Sequence, residues 1–293
     1  MKMVFRIDDV GYSEINDIGA FETIKNGITT SADVMLDAPH AVEALQEIRH
    51  NYPWISVGWH AHFWWGPALA PEKVPSLLIP GTNRFRHDLQ SATDISREEL
   101  QAECDAQIER CVMALGRVPD VGMAGRGGSI FSDVMDETCK KYGIVTNFAS
   151  MNFFGHSMPA AEKWADRRIK MANPGSAYKK IETDSITEQY NEYDPVQYYL
   201  TGEYNDGLTE EDISVQVWHP GYLDYNNYKL GDYGPNARFY TAIRVEDVHA
   251  LVCDEMKQWV RDNRIELVNF RDALYGTREY QNHLKAIGSE LAV

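Results

Sequence analysis

No stretch of this chain reaches the ~18 consecutive apolar residues that a membrane-spanning helix needs. The opening residues, Met1-Lys2-Met3-Val4-Phe5-Arg6-Ile7, also lack the apolar run of about 7–15 residues that marks a secretory leader. A membrane span is therefore not expected, and a cytoplasmic location is. Cysteine is scarce: Cys104, Cys111, Cys139 and Cys253 are the only four, and none forms a C-x-x-C pair. That spacing argues against a disulfide framework or a thiolate metal knuckle and for free thiols in a reducing compartment. Cys104 and Cys111, seven apart, are expected to pack from one helix face. Positive charge is scarce too, with 28 Lys and Arg against 44 Asp and Glu, a formal net charge of −16. Such a surface repels phosphate backbones and anionic lipid, so neither nucleic acid nor a membrane surface is an expected partner.

Linkers, repeats and low-complexity tracts are likewise missing, and the 293 residues are read as one catalytic domain, 1–293. What the chain does contain is alternation of strand and helix signals. Val4–Ile7 reads as a strand ending in Asp8-Asp9-Val10-Gly11. Residues 13–26 read as a helix capped by Ser13 and stopped by Gly27, with Ile15, Ile18, Phe21 and Ile24 on one side. Strands are predicted over 29–36, 55–63, 118–123, 144–148, 213–218 and 265–270, and helices over 39–49, 95–115, 130–142 and 245–263. Residues 65–92 and 150–212 are read as insertions. The alternation predicts an α/β fold, a distorted (β/α) barrel of about seven parallel strands. In that architecture the strand C-terminal ends share one face, where the chemistry sits.

Four predicted strand ends carry unusual polar groups: Asp8-Asp9, His60-x-His62, the Arg126 loop and His219. Two histidines two apart on a strand lie on the same face, because side chains alternate with period two. Histidine nitrogen and aspartate oxygen suit a divalent cation, Zn²⁺ first, with Co²⁺, Ni²⁺, Mn²⁺ and Mg²⁺ also compatible. A catalytic metal lowers the pKa of water and polarises a carbonyl, while a second carboxylate beside it acts as base. Aromatic residues crowd the same region. Trp64, Trp65 and Tyr222 are candidate substrate-binding residues, with Tyr225 and Tyr228 near the last, whereas Trp59 and Phe63 are expected to point into the core.

Taken in order, several motifs resemble the YdjC/ChbG-type carbohydrate deacetylase family, relatives of the polysaccharide deacetylases. They are Phe5-Arg6-Ile7-Asp8-Asp9-Val10-Gly11, Asn26-Gly27-Ile28-Thr29-Thr30-Ser31-Ala32, Val57-Gly58-Trp59-His60 with Gly66-Pro67, Glu103 to Gln107, His219-Pro220-Gly221, Arg244-x-Glu246 with Leu251, and Leu267-Val268-Asn269-Phe270. The resemblance implies a metal-dependent hydrolase that cleaves a C–N amide bond, removing acetyl groups from an N-acetylated mono- or oligosaccharide. It also implies Asp8 as general base, Asp9 and His60 as metal ligands, His219 as general acid or substrate ligand, and a homodimer. One departure stands out. The family's histidine-rich third motif is replaced by Pro119-Asp120-Val121-Gly122-Met123-Ala124-Gly125-Arg126-Gly127-Gly128-Ser129. Two readings follow. Either His62, where the family has asparagine, is the third ligand while Arg126 holds the catalytic aspartate or a substrate carboxylate, or the metal is lost and the barrel only binds a ligand. A non-sugar or cyclic amide is the rival substrate.

Overall fold

The computed structural model describes residues 1–122, 127–153, 156–172, 188, 192–205, 207–226 and 235–293. Its centre is the N-terminal strand β1 (Lys2–Val10), which is buried along nearly its whole length. Parallel to β1 on one side run β2 (Ser31–Val34), β3 (Ser56–Trp59) and the short β4 (Val121–Gly122). On the other side lies β8 (Ile213–Trp218), followed by β7 (Ile169–Ala172), β5 (Ser150–Phe153) and β6 (His156–Met158). Among the strands of the described residues only the β5–β6 pair is antiparallel, and β9 (Glu266–Leu267) pairs with the foot of β1. The expected α/β barrel-like architecture is thus present, as a mostly parallel, curled sheet with nine strands among the described residues.

The helices are α1 (Glu14–Asn26), α2 (Ala41–Asn51), α3 (Arg97–Leu115), α4 (Ile130–Tyr142), α5 (Glu162–Ala165), α6 (Pro195–Leu200), α7 (Pro235–Val252), α8 (Asp254–Asp262), α9 (Phe270–Tyr275) and α10 (Glu279–Ala286). Both faces of β1 are covered, as parallel sheets require. Met3, Phe5 and Ile7 join the larger core with Trp59, Trp218 and residues of α2 and α3. Val4 faces the other way and packs with Val121, Val215, Val217 and Phe270. By the same alternation Arg6 and Asp8 continue the Val4 row. One face of the curl is therefore apolar at its foot and charged at the strand C-terminal end.

Local signals placed many boundaries. Ser13, Ser96 and Ser129 each accept a hydrogen bond from a first-turn amide, and Gly116 and Gly143 close α3 and α4 in the left-handed region. All four cysteines are free and buried. Four expectations need correction. The expected strand 144–148 reduces to a single bridge at Val145. The 245–263 helix is two helices meeting at Cys253. The segment 150–212 is no mere excursion, since β5, β6 and β7 all enter the main sheet. Ile15 and Ile18 of α1 are exposed, while Asn16, Asp17 and Thr23 are buried. That helix is oriented by polar contacts to the β1 turn rather than by its apolar stripe.

The Glu103/Gln107 pair of α3 also proves structural. Glu103, fully buried, accepts from the Ala68 and Leu69 amides at 2.7 and 3.1 Å, and Gln107 accepts from the Trp59 indole at 3.1 Å. This pair anchors the start of the 65–92 loop to the helix layer.

Candidate active site

Adjacent residues in a regular strand point to opposite faces. Asp8 and Asp9 escape that rule. Asp9 adopts φ 62°, and the β1–β2 register shifts between Ile7 and Val10. Aspartate tolerates this left-handed conformation better than most residues, and Gly11 follows at φ 90°. The outcome is that both carboxylates reach the same imidazole. His60 Nε2 lies 3.1 Å from Asp9 Oδ1 and 3.8 Å from Asp8 Oδ2. His219, one residue beyond β8, brings its Nε2 to 3.9 Å from Asp8 Oδ2.

The two histidines of the His-x-His motif meet, though not by strand alternation. β3 ends at Trp59. The chain then folds tightly, with the His62 amide donating to the His60 carbonyl at 3.0 Å and Phe63 at φ 58°. The His60 and His62 rings pack edge to face at 4.2 Å, and Trp64 stacks on His62 at 4.5 Å. Trp59 and Phe63 are buried in the core as expected. Trp65 turns aside to pack edge-on against Tyr12 at 5.1 Å. Tyr222 is 37% exposed, its backbone against Gly19 of α1. Arg126 and Tyr228 lie outside the described residues.

Four buried groups to which the sequence reading gave no role, Arg6, Asp33, Arg244 and Asp247, complete the arrangement. Arg6 grips Asp8 bidentately, Nε to Oδ1 and Nη2 to Oδ2, both at 2.7 Å, and its Nη1 lies 3.3 Å from Asp33. The tether on the first aspartate thus comes from its own strand, two residues upstream. Arg244 of α7, fully buried, donates to Asp9 Oδ2 at 2.7 Å. Asp247, one turn along α7, accepts from the His219 amide at 2.8 Å and from the Tyr193 hydroxyl at 2.5 Å. Period two on β1 was the available signal for Arg6. Nothing local signalled Asp33, whose carboxylate occupies the space that a side chain on Gly58 would fill.

Electrostatics follow from these contacts. Burial pushes Asp8 up, but Arg6, His60 and His219 outweigh it and hold its pKa below the usual carboxylate range. Asp9 is likewise held well below it by Arg244 and His60 against burial. Burial lowers His219 to about 4 and, with His60 beside it, His62 to about 3, so both rings are neutral near pH 7. Burial opposes charge on His60, yet the two carboxylates raise its pKa. Among the described residues, the guanidinium groups beside Asp8, Asp9 and Asp33 are those of Arg6 and Arg244, and burial pushes Asp33 up to about 6.

The donor set suits a metal ion. One ligand atom from each of Asp9, His60 and His62 lies within 4.8 Å of the others. Asp9 Oδ1 and His60 Nε2 are buried 3.1 Å apart, and neither has a well-aligned hydrogen-bond partner among the described residues. A carboxylate oxygen and an imidazole nitrogen so disposed are donors that a divalent cation accepts.

Comparison with known proteins agrees with this scaffold. A carbohydrate deacetylase of Enterococcus faecalis is 24% identical over 286 residues, covering 92% of this chain and 97% of that protein. One from Clostridium beijerinckii is 25% identical over 275 residues, covering 93% and 100%. The crystal structure of an Enterococcus faecalis protein, named for a proposed cellobiose-phosphate cleavage activity, superposes with a TM-score of 0.65 at 22% identity, over 93% of this chain and 98% of that one. The profile of YdjC-like proteins matches residues 2–262, and the chain belongs to that family.

Proposed function

We propose that this protein is a metal-dependent carbohydrate deacetylase that hydrolyses the acetamide of an N-acetylated sugar to acetate and a free amine. The observation that carries the reading is the convergence of Asp8, Asp9, His60, His62 and His219 on one face of a YdjC-family sheet. Carbohydrate deacetylase is also the name of its curated relatives. Asp9, His60 and His62 would hold the cation. Bound there, a divalent metal such as Zn²⁺ supplies Lewis acidity to the amide carbonyl and makes water a nucleophile at neutral pH.

The protein's own groups account for the proton. Asp8 is kept ionised by Arg6 and accepts it from the attacking water as the C–O bond forms. His219, whose Nε2 lies 3.9 Å from Asp8 Oδ2, would pass one proton to the leaving nitrogen as the C–N bond breaks. Its neutral resting state suits this relay, because the ring can take up a proton before giving one away. Trp64 lies beside His62 and would offer an aromatic surface to a sugar ring.

The test is elemental analysis of the purified protein with His60→Ala and His62→Ala, together with amine release from N-acetylglucosamine and its β-1,4-linked disaccharide. One metal per chain in the wild type, lost in both variants with amine release, is expected. A protein that takes up no divalent cation, even on reconstitution, overturns the reading.

A further inference from the structure

The turn that presents Asp9 is held from outside the cluster. The Gly11 amide donates to Asp17 Oδ1 of α1 at 2.8 Å, and the Gly11 carbonyl accepts from the His40 amide at 3.1 Å. Asp17 Oδ2 meets His40 Nδ1 at 2.6 Å. The amide and the carbonyl of Gly11, two residues past Asp9, are therefore tied, one to the Asp17 side chain and one to the His40 backbone amide, and the Asp17–His40 side-chain pair joins α1 to the start of α2. Asn16 adds a weaker bond to the Asp9 carbonyl at 3.4 Å, and the Tyr12 amide donates to the same oxygen at 3.2 Å. There is no slack in this packing, since a Cβ on Gly11 would approach Ala41 Cα to 2.9 Å.

Asp17 is 1% exposed, on a helix whose outward face carries Ile15 and Ile18. A carboxylate buried in place of an apolar residue is a poor way to pack a helix on a sheet. Here both its oxygens are used, one on the turn amide and one on a histidine that is itself anchored to the turn carbonyl. A left-handed Asp9 followed by a left-handed Gly11 persists only where the surroundings over-determine it, and this pair does so. We infer that Asp17 and His40 are positioning residues that clamp the Asp9–Gly11 turn and so aim the Asp9 carboxylate at His60. The inference rests on the reading of Asp9 as a metal ligand, and it assigns two residues outside the cluster to the upkeep of that ligand.

The experiment compares wild type, Asp17→Ala, His40→Ala and the conservative Asp17→Asn, whose amide oxygen still accepts from Gly11. Amide exchange followed by NMR reads the clamp without any metal. In Asp17→Ala, the Gly11 amide should exchange about tenfold faster or more, while amides in the middle of α1 keep their protection. Co²⁺ titration of the apo-protein reads the consequence. Binding should weaken about 10- to 100-fold in both alanine variants, as for other residues that orient metal ligands. Asp17→Asn should remain close to wild type, whereas in the two alanine variants amine release should fall in kcat with KM unchanged. Unaltered Gly11 exchange in folded Asp17→Ala overturns the clamp, as does wild-type Co²⁺ affinity in both alanine variants. A wild type that binds no Co²⁺, but whose Gly11 exchange responds as expected, retains the clamp and sinks the deacetylase reading.

Discussion

Asp37 provides a test of the electrostatics away from the metal ligands. It is 4% exposed, and its Oδ2 accepts from the Trp65 amide at 2.8 Å, fixing the chain where the 65–92 loop leaves the site. Burial pushes its pKa from 3.8 to about 6, with the Trp65 and neighbouring amides opposing. Because the folded-state pKa is raised, the native protein holds a proton between about pH 4 and 6 that the unfolded chain has lost. Stability contributed by this group is therefore greatest below pH 4 and falls as pH rises through that window. The gap corresponds to about 3 kcal/mol at neutral pH and above. Asp37→Asn keeps an acceptor for Trp65 and removes the charge. It should match the wild type near pH 4 and gain up to about 3 kcal/mol at pH 8. With a urea slope near 3 kcal/mol per molar, that is a midpoint shift of about 1 M. Urea unfolding at pH 4.5, 6 and 8 measures it. A variant less stable than wild type at pH 8, or a difference that does not change with pH, refutes the assignment of a strained buried carboxylate.

Arg6→Met leaves Asp8 and Asp33 without their cation and should cost about 3–5 kcal/mol in urea unfolding. Arg6→Lys keeps the charge but loses the two-pronged grip on Asp8, so it should lower kcat more than it changes KM in steady-state amine release. Glu103→Ala frees the Ala68 and Leu69 amides, each worth about 1–3 kcal/mol when stranded, and limited proteolysis should then cut within 65–92 faster than in wild type. Prolonged chelation should abolish amine release, with added Zn²⁺ or Co²⁺ restoring it. Activity that survives complete metal removal refutes the roles given to Asp9, His60 and His62.

Much of this protein is decided locally and could be read from its residues. Ser96 and Ser129 accept amide hydrogen bonds at helix starts, Gly116 and Gly143 reverse the chain at helix ends, and Ile213–Trp218 forms the strand its apolar run predicts. Each rests on a preference acting within one turn of helix or a few residues of strand. The same holds for the composition of the site, since Asp8, Asp9, His60, His62 and His219 lie close to the ends of the strands that carry them. What locality could not supply was direction and partnership. Ile15 and Ile18 mark an apolar stripe on α1, yet Asp17 and Asn16 take the inward face because the β1 turn demands hydrogen bonds there. His60 and His62 converge through a tight fold after β3, not through the pleat. Asp33, Arg244 and Asp247 became partners of the site only when β1, β2 and α7 were brought together, and Arg244 meets an aspartate 235 residues away. The sequence by itself determined many of the elements and the chemical groups that stand near their ends, because propensity and capping are short-range. Tertiary structure alone decided which charges neutralise one another and how Asp9 is aimed, because a buried ionic group is set by whatever the fold packs against it.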